Sequence, residues 1–600
     1  MTTPPRARLA SAQAAYQAAD WSALRSSLPA GSTNLESWLN DAEGQQADAP
    51  ADPAWPFLRG VAFDLLGRWE EAAGAFAEAA RREGSHAAEA FYRMGLDLSR
   101  LGLQPFALQA YDRALGRDRR HLGARVSAAV SLRRLGRVAE ALRLLEELPC
   151  PRRPEWINNH AEFLLEQGRV TEALNELRAA GPLRRRHPGL HSSLIRAMLY
   201  DPGVTARDLF EETGRWNAWH AVSAAPPATH DPDPERPLRI GYVSACLHRH
   251  NSSAHLMNIL RARNRPRFHV TLYHAGTTHD DWTDTLRGLA DAWHDIALLP
   301  DEAAATLIRE DHTDLLVDVN EHANNGRLRL FSFRPAPIQF HWYGNAVTTG
   351  LKAIDYRFSD PVTEPPGESD RWSHETILRP ATGYHCYGPP PDAALPAAEP
   401  PFRRCGHITF GAVHHLAKLN DEVLSCWARI LDTTPGSQLL LARDVLAEQA
   451  TREALQVRLR RAGVNPDRVR FVTDPKAITT LAVYREMDIV LDSFPFNGDA
   501  TTCDALWMGV PVITLAGKRL SARRAAGLLH TVGADEWIAE SREDYVAKAV
   551  TWAQEGEHLA AARAVLPERV RRSALCNAPA VTAALEEEYR KAWQRLCRAT

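Results

Sequence analysis

Six hundred residues exceed what one hydrophobic core serves, so the chain is expected to fold as roughly two to four domains. Its 45% hydrophobic and 24% charged residues are ordinary for a soluble globular protein, and a net charge of −3 argues against a nucleic-acid footprint. No apolar run reaches bilayer length, and "MTTPPRARLASAQAAYQ" lacks the apolar core of a secretory signal, so a cytoplasmic chain with neither a nucleic-acid nor a membrane partner is expected. The eight cysteines form no CxxC pair, which points to reduced thiols and to neither a zinc site nor a dithiol motif. Cys503 is a nucleophile by residue type alone, because its surroundings lack a paired base.

The N-terminal third repeats itself. "LLGRWEEA", "RLGLQPFA", "RLGRVAEA" and "EQGRVTEA" place Gly67, Gly102, Gly136 and Gly168 at spacings of 35, 34 and 32 residues. Each glycine is followed by a small and a large residue four apart: Ala72/Phe76, Ala107/Tyr111, Ala141/Leu145 and Ala173/Leu177. A helix, a glycine turn and a second helix at a period of about 34 is the tetratricopeptide pattern. The alanine lets neighbouring helices approach and the larger residue fills the groove between them. Residues 53–188 are therefore expected to form an α-solenoid, preceded at 1–52 by helices or a degenerate repeat such as "AAYQAADWSALRSSL". Its concave surface suits an extended protein or peptide partner and is expected to lead to the site of chemistry; a structural array or a homodimer contact are the alternatives.

A helical connector, "LYDPGVTARDLFEETGRWNAWHA", and the Pro/Asp-rich linker "PPATHDPDPERP" fill 189–236. From there short β-branched runs alternate with helices. "LRIGYVSA", "HVTLYHAG", "DLLVDVN", "IQFHWYG" and "AIDYRFS" predict one lobe over 237–388. After a Pro-rich break at 389–402, "HITFGAV", "SQLLLAR", "RVRFVT", "DIVLDSF" and "PVITLAG" predict a second over 403–575. Two such blocks read as two doubly wound domains with a ligand cleft between them. A C-terminal helix over 576–600 is expected to pack back across the pair.

The stretch "FNGDATTCDALWMGVPVIT" sits between two strands. Thr501 is expected to start a helix with Asp504 three residues on, a capping-box spacing. A helix N-terminus at a strand's carboxyl end favours phosphate, and an acidic residue there can accept bonds from ribose hydroxyls. The competing reading is that Thr501 and Asp504 only cap a helix.

From Leu238 to about Leu575 the sequence resembles the O-GlcNAc-transferase family, which includes SPINDLY-type fucosyltransferases and many bacterial members. The motifs that carry the resemblance are "RIGYVSACLHRHNSSAHLM", "LLVDVNEHANNGRLRLFSFRPAPIQFHWYG", "DYRFSDP", "HCYGPP", "FGAVHHLAKLND" and "LDSFPFNGDATTCDALWMGVPVITLAG". The resemblance implies a tetratricopeptide solenoid followed by a GT-B pair of Rossmann-like lobes. It also implies inverting, metal-independent transfer of a sugar, GlcNAc or a related one, from a nucleotide donor to Ser/Thr of proteins. No cofactor is implied; the donor, UDP-linked by resemblance, is a substrate. UDP-glucose or GDP-fucose as donor, another acceptor type, and a catalytically weak repeat scaffold that binds nucleotide sugar stay open.

Lys418 falls on the family's phosphate-binding lysine, as metal-free departure of a diphosphate requires a cation. His415 stands where relatives carry an amide. His250 matches the family's histidine near the acceptor and is the candidate base, with His248 and His255 as competitors because the loop holds one extra residue. Thr479 and Thr480 are candidates for the base pocket, and Asn497, Gly498, Thr501, Thr502 and Asp504 for the rest of the nucleotide sugar. Gly344, Phe496 and Asp499 are assigned to the sugar pocket, where the turn "GNAVTTG" from Gly344, Phe496, Asp499, Ala500 and Glu321, in a position usually glycine, depart from the family pattern. A carboxylate at Asp499 would repel a diphosphate unless it is paired.

Overall fold

The computed structural model describes residues 5–29, 32–82, 86–147, 153–222, 231–344 and 346–599; part of the expected linker, 223–230, and Asn345 lie outside them. The chain forms two compact units, Met1–Phe163 and Leu164–Thr600.

In the first unit, three antiparallel helix pairs follow one another: Ala54–Leu65 with Trp69–Arg81, Ala87–Arg100 with Gln104–Arg117, and Leu122–Arg134 with Val138–Glu146. Each pair turns on a glycine with φ between 74° and 77°, at Gly67, Gly102 and Gly136, a conformation in which a Cβ is costly. Ala72, Ala107 and Ala141 are wholly buried, and Phe76, Tyr111 and Leu145 fill the grooves. The sequence reading missed the other half of this packing. A Cβ on Gly60 would lie 2.7 Å from the Phe76 ring, and one on Gly95 would lie 2.4 Å from Tyr111, so these glycines admit the large residue of the next helix. Upstream, helices Pro5–Gln17, Trp21–Ser27 and Ser32–Asp48 bury Tyr16, Trp38 and Leu39 in one core with Trp55 and Phe57.

The second unit begins inside the fourth helix pair, Pro154–Glu166 and Val170–Ala179, and holds both lobes. In the first lobe a seven-stranded sheet has the order β3-β2-β1-β4-β5-β6-β7, every pair parallel. Its strands are β1 (Leu238–Ser244), β2 (Phe268–His274), β3 (Ala292–Asp295), β4 (Leu315–Asp318), β5 (Ile338–His341), β6 (Tyr356–Phe358) and β7 (Thr376–Leu378). The second lobe has β8 (Thr409–Ala412), β9 (Gln438–Ala442), β10 (Val469–Val472), β11 (Ile489–Leu491), β12 (Val512–Leu515) and β13 (Ile538–Ala539), in the parallel order β10-β9-β8-β11-β12-β13. Strands β3, β7 and β13 were not foreseen; they are two to four residues long and lie at the sheet edges, with no apolar run of the kind that marked β4, β5 or β11. In both lobes the strand order reverses beside the lobe's first strand, between β1 and β4 and between β8 and β11, which is where doubly wound sheets open a crevice.

The C-terminal helix Ala578–Ala599 crosses to the first lobe, where Leu585, Tyr589 and Trp593 join its core. The connector is tied to the second lobe by Arg519, which donates to the carbonyls of Leu199 and Val204, each at 2.6 Å.

Candidate active site

At the β8/β11 crevice two segments meet. β8 delivers the turn ending in Lys418; β11 runs into Asp492, a loop, and helix Ala500–Trp507. Lys418 Nζ donates to the Asn497 carbonyl at 2.7 Å and lies 4.2 Å from the centre of the Phe496 ring. Burial lowers its pKa to about 8, opposed by Asp492 and Asp499, so the ammonium is charged at neutral pH. His415 caps this turn by accepting the Ala417 N–H at 3.3 Å, and its ring stacks at 5.9 Å on Tyr200, which is itself 5.3 Å from Phe496.

Buried Asp492 fastens the loop. It accepts from the Gly498 N–H at 2.7 Å, the Ser493 N–H at 2.8 Å and the Thr514 hydroxyl at 2.6 Å. Gly498 thus spends its N–H inside the protein, and a Cβ there would lie 2.6 Å from the Thr502 hydroxyl and 2.8 Å from that of Thr501. The buried Asn497 side chain donates to the Ser493 carbonyl at 2.9 Å, so Asn497 meets Lys418 through its backbone.

Asp499 is the N-cap of helix Ala500–Trp507, and no side chain caps that helix. This corrects the expected capping box: Thr501 lies inside the first turn and Asp504 makes no cap. The Asp499 carboxylate is held elsewhere, by the Arg524 guanidinium and by His385 Nε2 at 2.9 Å. Despite burial, the Arg524 guanidinium and the His385 ring hold its pKa well below the usual range. The carboxylate that would repel a diphosphate is therefore paired. Asp504 accepts the Tyr387 hydroxyl at 2.7 Å, and burial pushes its pKa up to about 7. Arg524 also donates to the Gly344 carbonyl at 3.2 Å. His385, Tyr387 and Gly344 belong to the first lobe, so three bonds join the lobes around the start of this helix.

Arg524, His385 and Tyr387 were missed as individual residues. The carboxylate at Asp499 was the signal for the first two, since a buried charge needs a partner. Thr479 and Thr480 turn their hydroxyls back on their own helix, to the carbonyls of Pro475 at 2.9 Å and Lys476 at 2.7 Å. Cys503 is buried with its thiol pKa pushed well up, which removes it as a nucleophile.

In the first lobe His250 is the N-cap of helix Asn251–Ala262, its Nδ1 accepting the Ser252 N–H at 3.2 Å. The neutral ring then carries its proton on Nε2, so service as a base requires it to leave the cap. His255 is fully buried against Tyr343 and accepts the Cys386 N–H at 3.1 Å; burial lowers its pKa to about 3. Glu321 is buried behind Gly344, its φ of 52° in the region that favours glycine. Its carboxyl lies 3.5 Å from His341 Nε2, and His341 donates through Nδ1 to Asp318 at 3.0 Å. Burial, with Asp318 and Glu375 nearby, raises the Glu321 pKa well above its ordinary value. A raised folded-state pKa gives stability that is present at low pH and lost as pH climbs past the unfolded carboxyl range. Glu321→Gln should therefore gain stability over the parent between pH 5 and pH 8, by up to about 1.4 kcal/mol per pH unit, in denaturant midpoints measured across that range. A difference that does not vary with pH would show that Glu321 ionises normally.

The sequence pattern of glycosyl transferase family 41 matches residues 222–385 and 405–585, more than half of the chain. The chain belongs to glycosyl transferase family 41. Among its relatives, a probable UDP-N-acetylglucosamine–peptide N-acetylglucosaminyltransferase SPINDLY of Petunia hybrida is 34% identical over 61% of this chain and 40% of its own length. The similarly named SEC protein of Arabidopsis thaliana is 29% identical over 60% of this chain and 37% of its own length. The chain thus spans less than half the length of these plant relatives. A mutant O-GlcNAc transferase of Thermobaculum terrenum superposes with a TM-score of 0.80 at 31% identity, covering 85% of this chain and 98% of that one. The family 41 pattern covers the crevice residues from Lys418 to Arg524 and, in the first lobe, His250, Glu321, Gly344 and His385.

Proposed function

We propose that this family 41 chain is an inverting protein O-glycosyltransferase that moves a sugar, GlcNAc or a related one, from a nucleotide donor to Ser/Thr hydroxyls without a metal in the transfer step. The observation that carries this reading is the placement of Lys418 and the uncapped N-terminus of helix Ala500–Trp507 on the two sides of the β8/β11 crevice. An ammonium and free helix N–H groups neutralise a departing diphosphate. Phe496, Asp499 and Gly344 border the sugar, and Asp504 takes the ribose. The acceptor hydroxyl attacks the anomeric carbon as the bond to the diphosphate breaks, and its proton passes to a base that His248 or an uncapped His250 supplies. The test incubates the protein with UDP-GlcNAc, UDP-glucose and GDP-fucose, following nucleotide release and the mass of acceptor proteins. Nucleotide release with no mass gain on any protein would sink the protein-acceptor reading; no release with any donor would favour a binding scaffold.

Asp504→Asn should weaken donor affinity roughly tenfold to a hundredfold at pH 8, more than Thr501→Val does, because a carboxylate accepts two ribose bonds with charge assistance. With its pKa near 7, Asp504 is largely protonated at pH 6, so the gap between Asn and wild type should narrow there. Calorimetry at both pH values checks this; equal affinities at pH 8 would leave Asp504 as a partner of Tyr387 only.

The helical array is assigned the recruitment of acceptor proteins, because each repeat adds contact area remote from the reacting hydroxyl. A cut at residue 188 would remove Gln167, which bonds Thr451 at 2.6 Å, and helix Val170–Ala179, both part of the second unit. Removing residues 1–152 avoids that damage. The truncated protein, folded by circular dichroism, should lose at least about tenfold in whole-protein modification, the range that remote binding energy supplies, with donor hydrolysis little changed. Parallel loss of both rates would make the array a stability element.

A further inference from the structure

At the open edge of the first sheet, β2 ends in His274 and β3 ends in Asp295, and the two residues are paired in register. His279 follows in the loop before helix Asp281–Leu289. The ligand atoms of His274, His279 and Asp295 all lie within 4.8 Å of one another.

The bonding around the two imidazoles constrains where their protons sit. His274 is fully buried, and its Nε2 lies 3.2 Å from the Thr278 carbonyl. Only an N–H can bond a carbonyl, so Nε2 is protonated and Nδ1 keeps its lone pair. That Nδ1 has no hydrogen-bond partner among the described residues. His279 Nδ1 lies 3.4 Å from the Thr277 carbonyl and its Nε2 lies 3.2 Å from Asp295 Oδ1; a neutral ring has one proton for these two acceptors, and an ion taken up at Nε2 would leave that proton on Nδ1. With the His279 proton on Nδ1, three electron-pair donors would converge with no proton among them. A second proton on His279 would satisfy its contact with Asp295 but would leave His274 Nδ1 buried and unpaired, at a cost of about 1–3 kcal/mol. A cation satisfies all three. The arrangement also has the outer shell of a metal site, with each imidazole oriented by a carbonyl on its far nitrogen. Trp293 packs 5.5 Å from the His274 ring, and the Arg287 guanidinium reaches Asp295 Oδ2 at 4.0 Å.

We propose that His274 Nδ1, His279 Nε2 and an Asp295 oxygen bind one divalent transition-metal ion, with solvent completing the shell. Two imidazoles and a carboxylate suit zinc. The site shares no residue with the crevice and does not rest on the transferase reading. Its place in the fold gives it a role as a clip. Asp280, next to His279, accepts the Arg249 N–H at 2.7 Å, so an ion here would also fix the loop that carries His248 and His250.

The test uses metal-stripped full-length protein titrated with ZnCl₂ in a calorimeter, and with Co²⁺ followed by visible absorption. One ion per chain and a tetrahedral Co²⁺ spectrum are expected. His279→Ala and Asp295→Asn should each weaken Zn²⁺ binding by more than about 100-fold, beyond what loss of an outer-shell partner costs. Both side chains are half exposed, so circular dichroism of the variants should match the parent. Zn²⁺ should raise the thermal midpoint of the parent and of neither variant. Absence of stoichiometric binding, or binding that both variants retain at parental affinity, overturns the proposal and leaves His279–Asp295 as a surface ion pair.

Discussion

Lys418→Ala is expected to lower donor turnover by about 10²–10³-fold while leaving the thermal midpoint close to that of the parent. A preorganised charge facing a leaving group is worth that much when no metal shares the task. The lysine is also prepared for it. Its ammonium is held over Phe496 and against the Asn497 carbonyl, on the loop that leads into helix Ala500–Trp507, so little reorganisation is needed as negative charge develops. Its depressed pKa adds a second signature. In the free enzyme kcat/KM should fall as pH rises through about 8, because the ammonium is then lost, and that limb should be missing from the residual activity of Lys418→Ala. Chelation by EDTA should leave the chemical step unchanged even where it lowers thermal stability through the His274 cluster. Near-parental turnover in folded Lys418→Ala would remove the lysine from the mechanism.

Much of this architecture could be read from residues alone because the signals were periodic. The glycine turns of the solenoid recur at nearly constant spacing, and each buries the small and large residues that the pattern assigned. Ten of the thirteen strands announced themselves as β-branched runs, and the crevice followed from strand order. Pairings between distant segments were not legible. Asp499 looked like a liability in the sequence because the charge that neutralises it comes from Arg524, and its second partner, His385, lies 114 residues away in the other lobe. The capping reading of Thr501 and Asp504 failed for a related reason. A three-residue spacing is local, whereas the Tyr387 hydroxyl that engages Asp504 arrives from across the cleft. The tautomers at His250 and His274 likewise depend on backbone groups whose direction no sequence pattern encodes.

Arg524→Met should destabilise the protein by about 3–5 kcal/mol, the cost of leaving a buried carboxylate without its main counter-charge. Arg524 is almost wholly buried, as is most of the Asp499 side chain, so solvent cannot replace the lost partner. Asp499→Asn should also be costly, since it takes the counter-charge from a buried guanidinium that otherwise donates to the Gly344 carbonyl. The double variant Arg524→Met/Asp499→Asn removes both charges together and should be far more stable than the sum of the single effects predicts. Denaturant unfolding of the four proteins measures the coupling; additivity within about 0.5 kcal/mol would mean that the pair does not act as a unit. The same cycle tests the site. Asp499 helps to keep Lys418 protonated, so in Asp499→Asn the high-pH limb of kcat/KM should move below pH 8. If stability responds as expected while that limb stays in place, Asp499 joins the two lobes without tuning the lysine. If the limb moves as well, one buried carboxylate both joins the two lobes and sets the charge of the lysine proposed to receive the departing diphosphate.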